Sequence, residues 1–271
     1  RTGHEWTRGD GYRYSSAERI IAAGQVVGYA TRYNGGSTSM GQSVWFFDPS
    51  TGVTRDISLV GPGNEWTRND GYRYSDLTRV DDAGPTVGTA NRYNGGSTLM
   101  GSSAWRFDPS TGATFDISLV GSGNEWTRGD GYRASQVRAV NDAGQVVGTA
   151  ARFLGGSTSR GNSIWFHDPA TGATTDISLV GPDNEHTRND GHRSSEVYRL
   201  NAAGQATGTA RRYNGGSTDI GQSTWFYDPA TGITSLISLP GNLVTRDNGS
   251  RYSQMSHMSD AGHVTGFNDL Y

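Results

Sequence analysis

The chain has 271 residues, 40 of them Gly, with 33% hydrophobic and 10% aromatic residues, a composition that suits many short strands and tight turns better than long amphipathic helices. Cysteine is absent, which excludes a disulfide framework, and all 23 basic residues are Arg, whose planar guanidinium keeps charge without an amine to modify. A net charge of −3 with interspersed signs offers no basic track for a phosphate backbone, and no apolar run approaches the roughly 20 residues that span a bilayer, so neither nucleic acid nor a membrane span is expected.

Self-similarity organises everything else. EWTRGDGYRYS begins at Glu5, EWTRNDGYRYS at Glu65, EWTRGDGYRAS at Glu125 and EHTRNDGHRSS at Glu185, a constant step of 60 residues. TRDNGSRYS at Thr245 opens an incomplete fifth copy. The chain therefore reads as one repeat domain, 1–271, of four units (about 1–60, 61–120, 121–180 and 181–240) and a partial one from Gly241 (241–271).

Within the first unit, Ser16 to Ala22 and Gln25 to Tyr33 are rich in strand-forming residues and are joined by the turn signal Ala23-Gly24, which predicts a hairpin. The glycine turn Asn34 to Thr38 leads to a strand at Gln42 to Phe47, and Asp48-Pro49-Ser50-Thr51-Gly52 predicts a tight turn before a last strand, Val53 to Val60. Trp45, Trp105, Trp165 and Trp225 sit mid-strand and are expected to fill the core. Four antiparallel strands per unit, followed by a polar loop such as Gly61 to Ser75, lead from the outer strand of one sheet to the inner strand of the next. The expected fold is all-β: tandem four-stranded antiparallel sheets forming a β-propeller with four full blades and a fifth incomplete blade, an open solenoid being the alternative.

The segments VNDAGQVVGTA (Val140 to Ala150) and SIWFHDPATG (Ser163 to Gly172), copied in all four full units, resemble the HAF-type extracellular repeats of bacteria, which carry an N-x-x-G-x-V-x-G hairpin and a W-x-D-P-x-T-G strand and turn. The family's His-Ala-Phe signature is replaced here by Ser43-Val44-Trp45. The resemblance implies a secreted bacterial protein with a propeller-like fold and no assigned reaction. The start at Arg1 without Met is expected to reflect processing, with any signal peptide removed.

The loops carry the candidate partner or glycan-binding residues: Trp6, Arg8, Asp10 and Tyr12; Trp66, Arg68, Asp70 and Tyr72; Trp126, Arg128, Asp130 and Tyr132. An exposed Trp stacks on a sugar face while Arg and Asp supply directional hydrogen bonds; the same loop also suits a joint between sheets, in which Asp10-Gly11 turns, Arg8 or Arg13 pairs with an acid on the next blade and Trp6 covers the gap. One acid beside two arginines is too few oxygens for calcium, and neither metal nor cofactor is expected. The residues that break the repeat, His4, Arg160, His167, His186, His192 and His257, show no metal spacing and no adjacent nucleophile, and are read as drift at surface positions.

No catalytic constellation is predicted, so the chain is expected not to be an enzyme, with a loop-carboxylate glycosidase the least favoured reading. The fifth unit supplies a hairpin, Ser253 to Phe267, without its outer strands, and Ser253, His257, His263 and Phe267 mark a candidate assembly edge. The leading expectation is an extracellular or cell-surface structural protein, a homo-oligomer that polymerises into a filament or surface layer. The alternative is a multivalent lectin-like module with one weak glycan site per blade.

Overall fold

The computed structural model describes residues 5–270 apart from 62, 64, 83, 122–123, 181–184 and 240–244. His4 and the start of the fifth unit at Gly241 lie outside the described residues. All regular structure among the described residues is β, in eighteen strands, and no helix occurs. The chain divides into two compact units, residues 1–118 with 133–144, and residues 119–132 with 145–271.

The first unit holds β1 (Ser15–Ile20), β2 (Val26–Tyr33), β3 (Ser39–Asp48), β4 (Val53–Asp56), β5 (Arg73–Val80), β6 (Thr86–Tyr93), β7 (Leu99–Asp108), β8 (Ala113–Asp116) and β9 (Arg133–Val140). Each sixty-residue repeat forms its sheet by antiparallel neighbours in chain order, β1-β2-β3-β4 and β5-β6-β7-β8. A short parallel contact then links one repeat to the next, Gly41 with Arg73 between β3 and β5, and Gly101 with Arg133 between β7 and β9. The sheets are thus mixed, and among the described residues none closes on itself.

Backbone approach explains two glycine columns. Gly41 has φ 92°, and a Cβ there would overlap the carbonyl oxygen of Arg73, so only Gly permits the parallel contact. Gly28 lies under the indole of Trp45 and against the Ser16 carbonyl, leaving no space for a side chain. The core of this unit combines both repeats: Val27, Val44, Phe46, Ile57 and Leu59 of the first pack with Val80, Ala90, Trp105 and Phe107 of the second. Phe46 and Phe107 meet with ring centroids 5.0 Å apart. A repeat therefore buries its sheet face on its neighbour, which makes sixty residues the period of the core as well as of the sequence.

The second unit holds β10 (Val146–Ala151), β11 (Asn162–Asp168), β12 (Ala173–Asp176), β13 (Ser195–Leu200), β14 (Ala206–Tyr213), β15 (Asp219–Asp228), β16 (Ile233–Leu236), β17 (Arg251–Met258) and β18 (Val264–Asn268). The pattern repeats: β10-β11-β12, then β13-β14-β15-β16, with β17 parallel to β15 and antiparallel to β18. Phe166 and Tyr227 pack with centroids 5.2 Å apart, the counterpart of Phe46 and Phe107.

The expected strands appear with shifted ends. The third strand is longer, Ser39–Asp48 rather than Gln42 to Phe47, and the fourth is shorter, stopping at Asp56 rather than Val60. Side chains explain the early stop: the Asp56 carboxylate accepts the Ser58 amide (2.9 Å) and the Ser58 hydroxyl accepts the Val44 amide (3.0 Å), replacing the ladder with local bonds. Ile57 and Leu59 are buried beyond the strand end. Trp105, Trp165 and Trp225 are fully buried and Trp45 half-buried, so the tryptophan column is core. The glycine turn holds Gly36 by its amide to Asn34 Oδ1 (2.9 Å); in the third repeat, where Leu154 replaces Asn, that residue takes φ 52°.

Candidate functional site

The predicted loop residues face one another. Arg8 donates to Asp10 (2.6 Å) and its guanidinium lies 5.2 Å from the Tyr12 ring centroid, while the Tyr12 amide donates to the other Asp10 oxygen (3.0 Å). Arg68, Asp70 and Tyr72 repeat this arrangement, as do Arg128, Asp130 and Tyr132, whose guanidinium lies 4.6 Å from the ring centroid. The backbone amide of Tyr12 holds the Asp10 carboxyl below its usual range, and Arg128 lowers that of Asp130 to about 2. Tyr12 and Tyr72 in turn set their edges against Tyr33 and Tyr93. Trp66 lies on Gly61 and Trp126 on Gly121, each so close that a Cβ on the glycine would strike the ring. Trp6 instead lines a shallow cleft of about 500 Å³ with Tyr14, Trp45 and Asp56. In the loops of repeats one to three the carboxylate thus finds its arginine and amide partners within the loop.

Beneath the loops lies a charged clamp between successive repeats that the sequence reading did not identify. In the first, Glu5 accepts hydrogen bonds from Arg32 (2.6 Å) and Arg73 (3.2 Å), and Arg73 also pairs with Asp56. In the second, Glu65 accepts from Arg92 (2.6 Å) and Arg133 (3.1 Å), and Arg133 reaches Asp116 at 3.0 Å. In the third, Glu125 accepts from Arg152 (2.7 Å) and Arg193 (2.8 Å), and Arg193 reaches Asp176 at 3.2 Å. Each contains two arginines and two carboxylates. Burial lowers the pKa of Arg73, Arg133 and Arg152, which the paired carboxylates of each clamp partly offset. Of the two loop arginines expected to pair with an acid of a neighbouring repeat, the Arg13 column does so through Arg73, Arg133 and Arg193, while Arg8 pairs within its own loop.

The fourth clamp is different. Glu185 accepts from Arg212 (2.8 Å) and Arg251 (3.2 Å), but the position held by Asp56, Asp116 and Asp176 is Leu236. The tryptophan column of the loops, Trp6, Trp66 and Trp126, continues as His186. His186 is only 2% exposed, which overturns its reading as surface drift. Its Nδ1 lies 3.1 Å from the Arg211 carbonyl oxygen, which can only accept, so that nitrogen carries the proton and Nε2 faces Glu185 Oε1 at 3.4 Å. Burial holds the imidazole below its ordinary pKa. Burial alone would raise Glu185, but the Arg212 hydrogen bond and the charges of Arg212 and Arg251 keep the carboxyl low.

A cleft of about 590 Å³ opens at this place, with Glu185, His186, Arg251 and Asp176, the last already paired with Arg193, among its polar lining and Ile177, Leu179 and Leu236 among its apolar lining. His186 and the exposed Leu236 line it where the first repeat's cleft has Trp6 and Asp56. Three other repeat-breaking residues have partners: His167 is buried, against its reading as a surface position, with the Thr174 hydroxyl at 2.9 Å, Arg160 pairs with Asp190 (3.0 Å), and His192 sets its ring edge against Tyr213.

The proposed edge residues occupy the β17–β18 hairpin. Ser253 is buried and hydrogen-bonds Thr224 (2.7 Å), whereas His257, His263 and Phe267 are at least partly exposed. Among the described residues no group of three or more His, Cys, Asp or Glu side chains is arranged to hold a metal ion, and no helix is long and apolar enough to cross a membrane.

No protein-family model matches the chain, and no curated protein matches it. Solved structures similar to it include dipeptidyl peptidase 4 of Porphyromonas gingivalis (10% identity, TM-score 0.44, covering 97% of this chain and 35% of that one). Others are a puromycin hydrolase (14% identity, TM-score 0.41, 95% and 33%) and a glycoside hydrolase (10% identity, TM-score 0.29, 95% and 82%). The chain spans about a third of the length of the first two. The expectation of a structural protein that polymerises into filaments or a surface layer is corrected here: the similar structures bear the names of hydrolases, not of polymer-forming proteins. At these scores the likeness assigns no activity to this chain.

Proposed function

We propose that the chain is a β-propeller-like repeat scaffold, with four full units and part of a fifth as its blades, whose specialised feature is one ligand-binding cleft in the fourth repeat. The observation that carries the reading is that Leu236, the departure within the clamp columns, and His186, a departure beside them fifty residues away in sequence, line one cleft together with Arg251, which is left with one acid. Pockets that bind small molecules join an apolar wall to a few convergent polar groups, as Ile177, Leu179 and Leu236 face Glu185, His186 and Arg251 here. Its volume, about 590 Å³, falls within the usual range for such sites. The first repeat also has a cleft, of about 500 Å³, at the counterpart positions Trp6 and Asp56, but there Asp56 pairs with Arg73, so the missing acid is particular to the fourth repeat.

A fragment screen followed by protein-observed NMR tests the reading. Ligands that shift the His186 ring and the Arg251 side chain are expected, and His186→Trp, which restores the indole of the other repeats, is expected to abolish those shifts. Fragments that bind the wild type and the variant alike would remove the cleft from consideration. The propeller assignment has its own check, since an experimental structure in which successive sheets do not turn about a common axis would dismiss it.

A further inference from the structure

Charge balance narrows what the cleft takes, on the premise that it binds a ligand at all. Clamps one to three each set two guanidinium groups against two carboxylates. In the fourth, Arg212 and Arg251 share Glu185 alone, because Leu236 has replaced the second acid and His186 is held neutral by burial. One positive charge among the described residues of this clamp is therefore uncompensated. The Arg251 side chain is only 11% exposed, and its Nε is buried without a hydrogen-bond partner, as are those of Arg133 and Arg193, so what sets it apart is the missing second carboxylate. A guanidinium so placed has lost hydration and gained only part of the carboxylate pairing that its counterparts Arg73, Arg133 and Arg193 enjoy. The cleft opens at the point where the missing acid would stand.

We propose that the fourth-repeat cleft binds a small monocarboxylate, whose carboxylate takes the place against Arg251 that Asp56, Asp116 and Asp176 occupy in the other repeats, and whose body rests on Ile177, Leu179 and Leu236. The sister clamps supply the template: in each, a carboxylate oxygen meets the same guanidinium nitrogen, 3.0 Å away in the second and 3.2 Å in the third. A single negative charge balances the clamp. A dianionic phosphate would overshoot that balance beside the Glu185 carboxylate, which disfavours it. The apolar wall selects acids with a hydrocarbon or mixed body over acetate-sized ions. A planar carboxylate also matches the fork of an arginine better than a spherical anion does.

The test uses hexanoate, hexanamide and hexyl phosphate as probes, measured by calorimetry and protein-observed NMR on the intact chain. Hexanoate is expected to bind, hexanamide to bind at least tenfold more weakly, and hexyl phosphate to fall between them. Leu236→Asp supplies the missing acid from the protein itself and is expected to weaken hexanoate at least tenfold, while Leu236→Asn, of the same shape without the charge, keeps it within about threefold. Leu236 is 41% exposed, so both variants are expected to fold, and the unfolding midpoint of Leu236→Asp reports the regained pairing as an increase. Equal binding of hexanoate and hexanamide, or unchanged hexanoate binding by Leu236→Asp, overturns the carboxylate assignment while leaving a ligand cleft in place. If no probe or fragment shifts His186 or Arg251, and His186→Trp changes nothing, the cleft itself is lost and this assignment goes with it.

Discussion

If the fourth clamp carries an unbalanced cation, removing that cation should cost far less than removing its counterpart in a balanced clamp. The comparison is Arg193→Met against Arg251→Met, both in the second compact unit and both replacing guanidinium by an unbranched apolar chain. Arg193 is 9% exposed and pairs with Glu125 at 2.8 Å and Asp176 at 3.2 Å, which are 29% and 21% exposed. Breaking a buried ion pair from one side leaves a stranded charge and costs 3–5 kcal/mol; with both carboxylates partly solvated the lower end applies, about 3 kcal/mol. Arg251→Met leaves Arg212 and Glu185 paired one to one at 2.8 Å, so its loss should stay below about 1 kcal/mol. Urea unfolding followed by tryptophan fluorescence should place the midpoint of Arg193→Met about 1 M or more below wild type and that of Arg251→Met within a few tenths of that value. Equal losses for the two variants would refute the charge argument, because they would mean that Arg251 is as fully paired as Arg193.

Three further outcomes follow from the same geometry. Gly41→Ala forces a Cβ into the Arg73 carbonyl at φ 92° and should cost about 3 kcal/mol, read as a lower unfolding midpoint; a loss under about 1 kcal/mol contradicts the parallel contact between repeats. Asp70→Ala removes the acceptor of the Tyr72 amide and the partner of Arg68 and should reduce stability without altering hexanoate binding, whereas a change in binding would return the ligand site to the loops. His186 and Glu185 both have native pKa values below their ordinary ones, so the unfolded chain binds more protons as the solution is acidified. The stability they contribute is complete above about pH 6.5 and is lost as pH falls, first through the histidine step and then, below about 4.5, through the glutamate step. His186→Gln should flatten the upper step alone in a series of urea midpoints from pH 7 to 4; an unchanged profile refutes the assignment to His186.

Local chemistry made most of the strand order legible. The Ala-Gly and Asp-Pro-x-Thr-Gly turns, the buried tryptophan column and the sixty-residue step each announce themselves within a few residues, and the structure follows them through all four full repeats. The end of the fourth strand escaped because it depends on what Asp56 and Ser58 bond across the sheet, not on alternation: Val53 is exposed while Ile57 and Leu59, outside the strand, are buried. The clamp was hidden for a stronger reason. Glu5 and Arg73 are 68 positions apart, Arg73 and Asp56 lie in different repeats, and no local pattern reveals a pairing that only the packing of neighbouring sheets creates. What the sequence did contain was the constancy of the columns Glu5, Arg32, Asp56 and Arg73. Aligning the repeats position by position exposes Leu236 as the departure within them and His186 as one of the departures beside them.

Departure from a repeat carries information only when its physical consequence is left open. Arg160 stands where the first two repeats have Met, and it found Asp190; His167 stands where they have Phe, and it found Thr174; His192 replaces Tyr and keeps the aromatic edge against Tyr213. Each change was absorbed locally, as substitutions in a repeat stabilised by nearest-neighbour contacts can be. At Leu236 the absorption did not occur. The change removes a carboxylate but retains both arginines, leaving a largely buried cation in the lining of a cleft that His186 shares. Drift toward tolerance would have altered Arg251 as well, since losing the guanidinium relieves the imbalance at little cost. Retention of Arg251 without its acid is what a site requires when the second carboxylate is to come from outside the chain.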